Sequence, residues 1–398
     1  MSSGVEVRNR EGAPDGWWFP RRTGGYLEGA SGPNRLVGID AARGLALLGM
    51  IAAHVGVTTE GFDSLEGWLS LSQGRSSVLF AVVAGFSVGI ISGRLTPHTG
   101  ERLVRTRMRL LVRSVLLLAV GAFLHLLDTP ILVILGFYAT WFVLAIPFLA
   151  WRARSLLVLA GVVAVAGPVA KFYLPPLLAL VGWDVYTIGD DPNGALIGFL
   201  LTGAYPGVVW MAYIFLGLGL ARIGWAPLGR VLILLGAGVA LTTAGYAGGP
   251  WLIGPAGTDV TEAVALGGGW PDPVILLVTE PHTDSIAEVM GAAGAALVVI
   301  AAGLLIARRA AWVLAPLAAT GSMSLTIYTA HVVWVSVLGS DVVWEPSNAN
   351  LLMMVLALTG FAMLWKLVFA RGPLEHWVHV ASVKATRAAG QPAATGLG

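Results

Sequence analysis

Apolar runs of about 20 residues, the length a helix needs to cross a hydrocarbon core, recur along the chain from residue 36 to residue 369. Short segments rich in Arg, Gly, Pro or Asp separate them. The pattern predicts helices over 36–57, 75–93, 109–127, 131–150, 155–173, 203–221, 229–246, 285–306, 313–337 and 349–369. Residues 191–202 are apolar but short, and read as a re-entrant or packed segment before the sixth span. The expected fold class is therefore all-α: a polytopic membrane helical bundle of about ten transmembrane helices.

Composition agrees with that pattern. The chain is 56% hydrophobic and 12% charged, and its mean hydropathy is +0.79; a soluble chain carries roughly a quarter charged residues. The basic residues also alternate by side, as the positive-inside rule demands. Counted over ten spans, Arg94–Arg109, Arg152 and Arg154, Arg222 and Arg230, Arg308 and Arg309, and Lys366 and Arg371 all fall on one face. Of the 24 Lys and Arg, only Arg75 and Lys171 fall on the other, where most of the acidic residues collect. Both termini are then cytoplasmic. Residues 1–34 form a polar tail with no apolar signal-peptide core before the first span. Residues 35–372 form the membrane domain, and 373–398 a second cytoplasmic tail. An extracytoplasmic loop of about 247–284, rich in Gly, Pro and Trp, has the length of a functional loop.

Several chemistries are excluded. With no Cys, the chain has neither a disulfide, nor a thiolate metal site, nor a Cys nucleophile. No phosphate-cradling loop, HExxH helix or zinc-spaced Cys/His set occurs, so no metal is expected. Nothing points to nucleic acid. Arg over Lys, with abundant Ala and Gly, suggests a bacterial source.

The first span carries three ionisable groups, Asp40, Arg43 and His54. Such groups in a bilayer are costly and lean functional. Arg43 and His54 are eleven residues apart, about 1100° of helix rotation or three turns plus about 20°, so they share one face roughly 16 Å apart along the axis. Asp40 lies one turn before Arg43, within i,i+3 pairing distance. The plain alternatives are an interfacial ion pair or a snorkelling Arg for the first two, and for His54 a bond to a neighbouring helix or a place at the outer interface.

Other polar groups interrupt apolar helices. Ser324, Tyr328 and His331 mark one face of the ninth predicted span, which suits a cavity lining or a bond between helices. His282 precedes Ser285, which with Glu288 fits a helix N-cap. Arg75, beside Ser76 at an outer helix end, contradicts the charge of its side; it suits an acidic or sugar substrate, or a pair with Glu60, Asp63 or Glu66. The Arg102 to Arg113 cluster has the default meaning of topology and attraction to anionic lipid.

The stretch R-L-V-G-I-D-A-A-R-G-L-A-L-L-G-M-I-A-A-H resembles the first-helix signature of the transmembrane acyltransferase superfamily. The likeness is to its bacterial heparan-alpha-glucosaminide N-acetyltransferase-like and YeiB-like (DUF418) branch, with the acyltransferase-3 proteins more distant. It continues in G-R-S-S-V-L-F-A-V-V-A-G-F-S at Gly74, Y-P-G-V-V-W at Tyr205, P-H-T-D-S-I-A-E-V at Pro281, G-S-M-S-L-T-I-Y-T-A-H at Gly321 and R-G-P-L-E-H-W at Arg371. The resemblance implies transfer of an acetyl or other short acyl group from cytoplasmic acetyl-CoA or another acyl-CoA to an extracytoplasmic sugar, envelope glycan or small molecule. In acyltransferase-3 proteins an Arg and a His eleven residues apart serve this chemistry, which implies Arg43 for the cofactor and His54 as base. A comparable Arg-x-x-Arg implies Arg102 and Arg105 as CoA-phosphate ligands. Asp40, Arg75, Ser76, His282, Ser324, Tyr328 and His331 are the remaining cavity candidates. The expected setting is the bacterial inner membrane, among membrane lipids, with homo-oligomers left open. A transporter or flippase using the same polar cavity, and a non-catalytic partner keeping the scaffold, are the rival readings.

Overall fold

Every run predicted from the hydrophobic pattern is helical in the computed structural model, which describes residues 36–59, 61–186, 194–254 and 270–388. In chain order the helices are α1 (Val37–Val55), α2 (Arg75–Ile91), α3 (Gly100–His125), α4 (Leu135–Ala145), α5 (Ala153–Ala179) and α6 (Gly207–Ala221). They continue as α7 (Leu228–Tyr246), α8 (Ile286–Ala310), α9 (Ala315–Ser322), α10 (Ser324–Leu338), α11 (Asn348–Val368) and α12 (Pro373–Ala388). The polar N-terminal tail, residues 389–398 and the centre of the predicted 247–284 loop lie outside the described residues.

Among the described residues, six helices are long and apolar enough to cross a membrane, and nine spans result if each bent helix pair counts as one. The three bends matter. Leu65–Ser72 meets α2 at 41°, Ala195–Thr202 meets α6 at 65°, and α9 meets α10 at 83°. The predicted short segment before the sixth span is thus a helical arm folded against α6. The predicted ninth span is broken at Met323, and α4 with its following turn, Leu135–Phe148, is short for a span. The chain is a multi-pass membrane protein, with six to nine candidate spans among the described residues and the shorter apolar α4 beside them.

The break at Met323 is stabilised from far along the chain. The first backbone N–H groups of a helix have no partner of their own. Here Leu325 N and Thr326 N donate to Glu375 Oε1 at 2.7 and 3.0 Å, and Thr326 Oγ1 donates to Glu375 Oε2 at 2.6 Å. A carboxylate at a helix N-terminus also opposes the helix dipole favourably. Glu375 stands at the start of α12, so the predicted C-terminal tail begins as a helix docked along α3.

α1 runs through the centre, packed by α2, α8, α9, α10 and α11. Its approach to α9 is set by glycine. A methyl group on Gly321 would sit 1.9 Å from the Asp40 carbonyl oxygen, and one on Gly44 would sit 2.0 Å from that of Leu317. Without hydrophobic drive between helices in lipid, such close backbone contact is the main source of association. Gly321→Ala is expected to lower the midpoint of thermal unfolding in detergent by several degrees, reflecting roughly 1–3 kcal/mol of overpacking. Gly161→Ala, where nothing lies within 4 Å, should leave it unchanged or slightly raised. Equal effects would contradict the crossing.

Candidate active site

The glycine crossing fixes the first polar group. Arg43 Nη1 donates to Asp40 Oδ1 at 3.1 Å and to the Gly321 carbonyl at 3.3 Å. Its Nη2 donates to Ser87 Oγ on α2 at 2.6 Å. The predicted Asp40–Arg43 pair therefore forms, but the guanidinium is tied to two other helices and does not reach away along the surface. Three elements hold it where α1, α2 and α9 meet.

Three turns on, His54 Nδ1 lies 3.2 Å from His331 Nε2 of α10. The two rings are parallel within 4°. His331 Nδ1 lies 3.0 Å from the Tyr328 carbonyl, which can only accept, so that nitrogen carries a proton. A buried imidazolium without a paired carboxylate is expensive, and a neutral imidazole has one donor and one acceptor. His331 Nε2 is then the acceptor, the proton between the rings sits on His54 Nδ1, and His54 Nε2 is left with a lone pair. Burial agrees with the direction. His331 is 0% exposed, whereas His54 is only half-buried. The less buried of the two rings carries the free lone pair.

Tyrosines fill the space around the pair. Tyr328 receives the Ile134 N–H on its hydroxyl at 3.2 Å and sets its ring edge-on to His331. The Tyr138 hydroxyl on α4 is buried and has no hydrogen-bond partner, within electrostatic range of Arg43, Tyr205 and Tyr328. Tyr205 packs edge-on against Trp210 and His282.

His282 and Asp284 both adopt left-handed backbone, at φ 66° and 57°, a conformation few non-glycine residues take. The turn is stapled by Lys171, which donates to Asp284 Oδ2 at 2.6 Å and to the Thr283 carbonyl at 3.0 Å. Trp210 Nε1 donates to the other carboxylate oxygen at 2.8 Å. Ser285 caps α8 by accepting the Glu288 N–H at 2.9 Å, as its spacing predicts, and its hydroxyl bonds the Val278 carbonyl. The turn thus presents His282 beside Tyr205, toward His54. Lys171, one of the two basic residues expected on the acidic side, neutralises a buried carboxylate.

At the Arg43 end the predicted pair fares differently. Arg105 is exposed and bonded to Glu101 at 3.1 Å, and Arg102 is exposed on the same helix. Deeper on α3, Arg113 is half-buried, its Nε has no hydrogen-bond partner, and it lies within electrostatic range of Arg43 and Glu375. α12 adds His379, near Arg371 and Arg109. Although His379 is an exposed residue, desolvation and then those guanidiniums lower its imidazole to about 4. Against these cations stand few carboxylates, chiefly Asp40 and Glu375. The region gathers cations that sequence spacing did not assemble, because α3 and α12 are far apart in the chain.

Two candidates lie elsewhere. Ser324 sits half-buried at the helix break beside Glu375. Arg75 and Ser76 line a cavity of about 810 Å³ on the opposite face of α1. Arg75 holds its guanidinium 4.6 Å over the Tyr246 ring. It makes no ion pair among the described residues; Glu66 is bonded to Asn348, and Glu60 lies outside them.

Residues 35–232 match the family described as heparan-alpha-glucosaminide N-acetyltransferase, catalytic. Residues 272–384 match the family described as protein of unknown function (DUF418). No curated protein matches the chain. The first matched region holds Arg43, His54, Tyr138 and Tyr205, and the second holds His282, His331 and Glu375, so the His54–His331 contact joins one region to the other. With both regions in one helical bundle, the chain belongs to the heparan-alpha-glucosaminide N-acetyltransferase-like, YeiB-like family.

Proposed function

We propose that the protein transfers an acetyl or other short acyl group from cytoplasmic acyl-CoA to a hydroxyl or amine of an extracytoplasmic sugar or envelope glycan. The chain then crosses a bacterial inner membrane about ten times with both termini inside, the Arg43 end facing the cytoplasm and the His54 end facing out. The observation that carries this reading is the Tyr328–His331–His54 hydrogen-bond chain, which leaves a lone pair on the less buried ring about three turns from a fixed guanidinium. A phosphate-recognising end and a proton-accepting end on one strip are what a thioester donor with a long polyanionic handle requires.

His54 Nε2 takes the proton of the acceptor hydroxyl or amine while its oxygen or nitrogen attacks the thioester carbonyl. The new C–O or C–N bond forms, the C–S bond breaks, and the leaving CoA thiolate collects the proton from His54. His331 keeps Nδ1 as the protonated nitrogen of His54, much as a third group orients the base in other acyl-transfer sites. The unpartnered Tyr138 hydroxyl is a donor available to the developing oxyanion. Arg43, Arg113, Arg109 and Arg371 supply charge for the CoA phosphates, with the exposed Arg102 and Arg105 farther out on the same helix as Arg109 and Arg113.

Two outcomes test the reading. In membranes given labelled acetyl-CoA and envelope acceptors, His54→Ala should lower acyl transfer about 10²-fold or more while the protein stays inserted. His331→Ala should lower kcat with little change in KM for acyl-CoA, since it acts through His54; an undiminished rate in His54→Ala would remove the base. Separately, CoA added to the purified protein should raise the midpoint of the His379 titration from about 4, because bound phosphates offset the guanidiniums that favour the neutral ring. A midpoint that does not move would place the cofactor elsewhere.

A further inference from the structure

The cavity that holds Arg75 is separate from the polar strip. On α1 its walls are Leu45, Leu48, Gly49 and Ala52, which sit roughly 140–240° around the helix from Arg43, while His54 sits at about 20°. Leu79 of α2, Ala296 and Val299 of α8, and Leu351 and Val355 of α11 complete an apolar chamber. Leu45 is 43% exposed in the middle of an otherwise buried helix, so the chamber opens sideways, toward lipid. Its volume lies within the range of specific ligand sites.

Besides Thr242 and Thr279, the polar lining groups gather at one place. Arg75, Ser72, Ser76 and Tyr246 stand there, at the N-terminus of α2, under the short helix bearing Trp68. Ser72 Oγ is buried without a hydrogen-bond partner. Arg75 is the second basic residue that breaks the charge rule, and unlike Lys171 it has no carboxylate bonded to it among the described residues. A guanidinium, a free hydroxyl and a helix N-terminus converging on the mouth of a hydrocarbon slot fit an anionic headgroup on an aliphatic chain.

We infer that this chamber binds an amphiphile with a phosphate-class headgroup and a hydrocarbon tail, and that this amphiphile carries the acceptor group. The second half rests on the acyl-transfer reading above. The geometry connects the two sites. α1 ends at Val55, one residue past His54, so a headgroup anchored at Arg75 and Ser76 has only the end of this helix to pass before reaching the imidazole. Ser76 lines the chamber, and the next residue, Ser77, faces Tyr205 of the polar cluster.

The test uses the full-length protein in nanodiscs and a single-chain alkyl phosphate carrying a mid-chain diazirine, compared with the same chain ending in an alcohol or in phosphocholine. Irradiation and peptide mass spectrometry should place adducts on 45–52 and 295–299. Arg75→Gln should weaken saturable labelling by the phosphate probe about tenfold without changing the alcohol probe. Val299→Phe, its folding checked by thermal unfolding, should block both. Equal labelling by the phosphocholine probe, or displacement by bilayer phosphatidylcholine, would make the chamber an ordinary lipid groove and overturn the inference. Labelling needs no turnover: adducts at these peptides in a protein that transfers no acyl group would sink the enzymatic reading and leave the binding site standing.

Discussion

A single imidazole-to-imidazole hydrogen bond, between residues 277 positions apart in the chain, couples the orientation of α1 to that of α10. It leaves a nitrogen lone pair without a partner in the interior of a helical bundle, a setting in which an unsatisfied polar group is costly. The bond depends on the two helices meeting at the right height, and that height is set elsewhere. Gly44 and Gly321 bring α1 and α9 into backbone contact, the chain breaks at Met323, and Glu375 supplies the missing acceptors for the start of α10. Removing any of these would alter the position of His331, and with it the proton that fixes His54.

α1 thereby serves two surfaces. One face carries Asp40, Arg43 and His54 and looks at tyrosines; the other lines an apolar chamber with Arg75 at its mouth. Small residues make this division feasible, since Gly44, Ala46 and Gly49 let neighbouring helices approach while large side chains stay at the chamber wall. The two basic residues that the sequence pattern set apart from the rest sort by the same logic. Lys171 neutralises Asp284 and stiffens a turn, whereas Arg75 faces an aromatic ring and a hydrocarbon slot.

Local relations were legible in the residues alone. The eleven-residue spacing places Arg43 and His54 on one strip, the i,i+3 spacing pairs Asp40 with Arg43, and Ser285 with Glu288 marks a helix start; all three follow from 3.6 residues per turn. What stayed hidden depends on contact across the bundle. His331 is apparent as a polar residue in an apolar helix, but its tautomer follows only from the Tyr328 carbonyl and from His54. Glu375 sits in the R-G-P-L-E-H-W motif with nothing local to cap, because the helix it completes begins 50 residues earlier. Arg102 and Arg105 share a helix with Arg113, and only the packing of α12 shows which of them turns inward. The break at Met323 has no proline to announce it.

The central claim is the proton arrangement of the histidine pair, and solid-state NMR of protein labelled with ¹⁵N-histidine in lipid bilayers measures it directly. With His54 and His331 assigned by single replacements, the account predicts protonated Nδ1 and unprotonated Nε2 on both rings at neutral pH. A proton on His54 Nε2, or a doubly protonated His331, would contradict it.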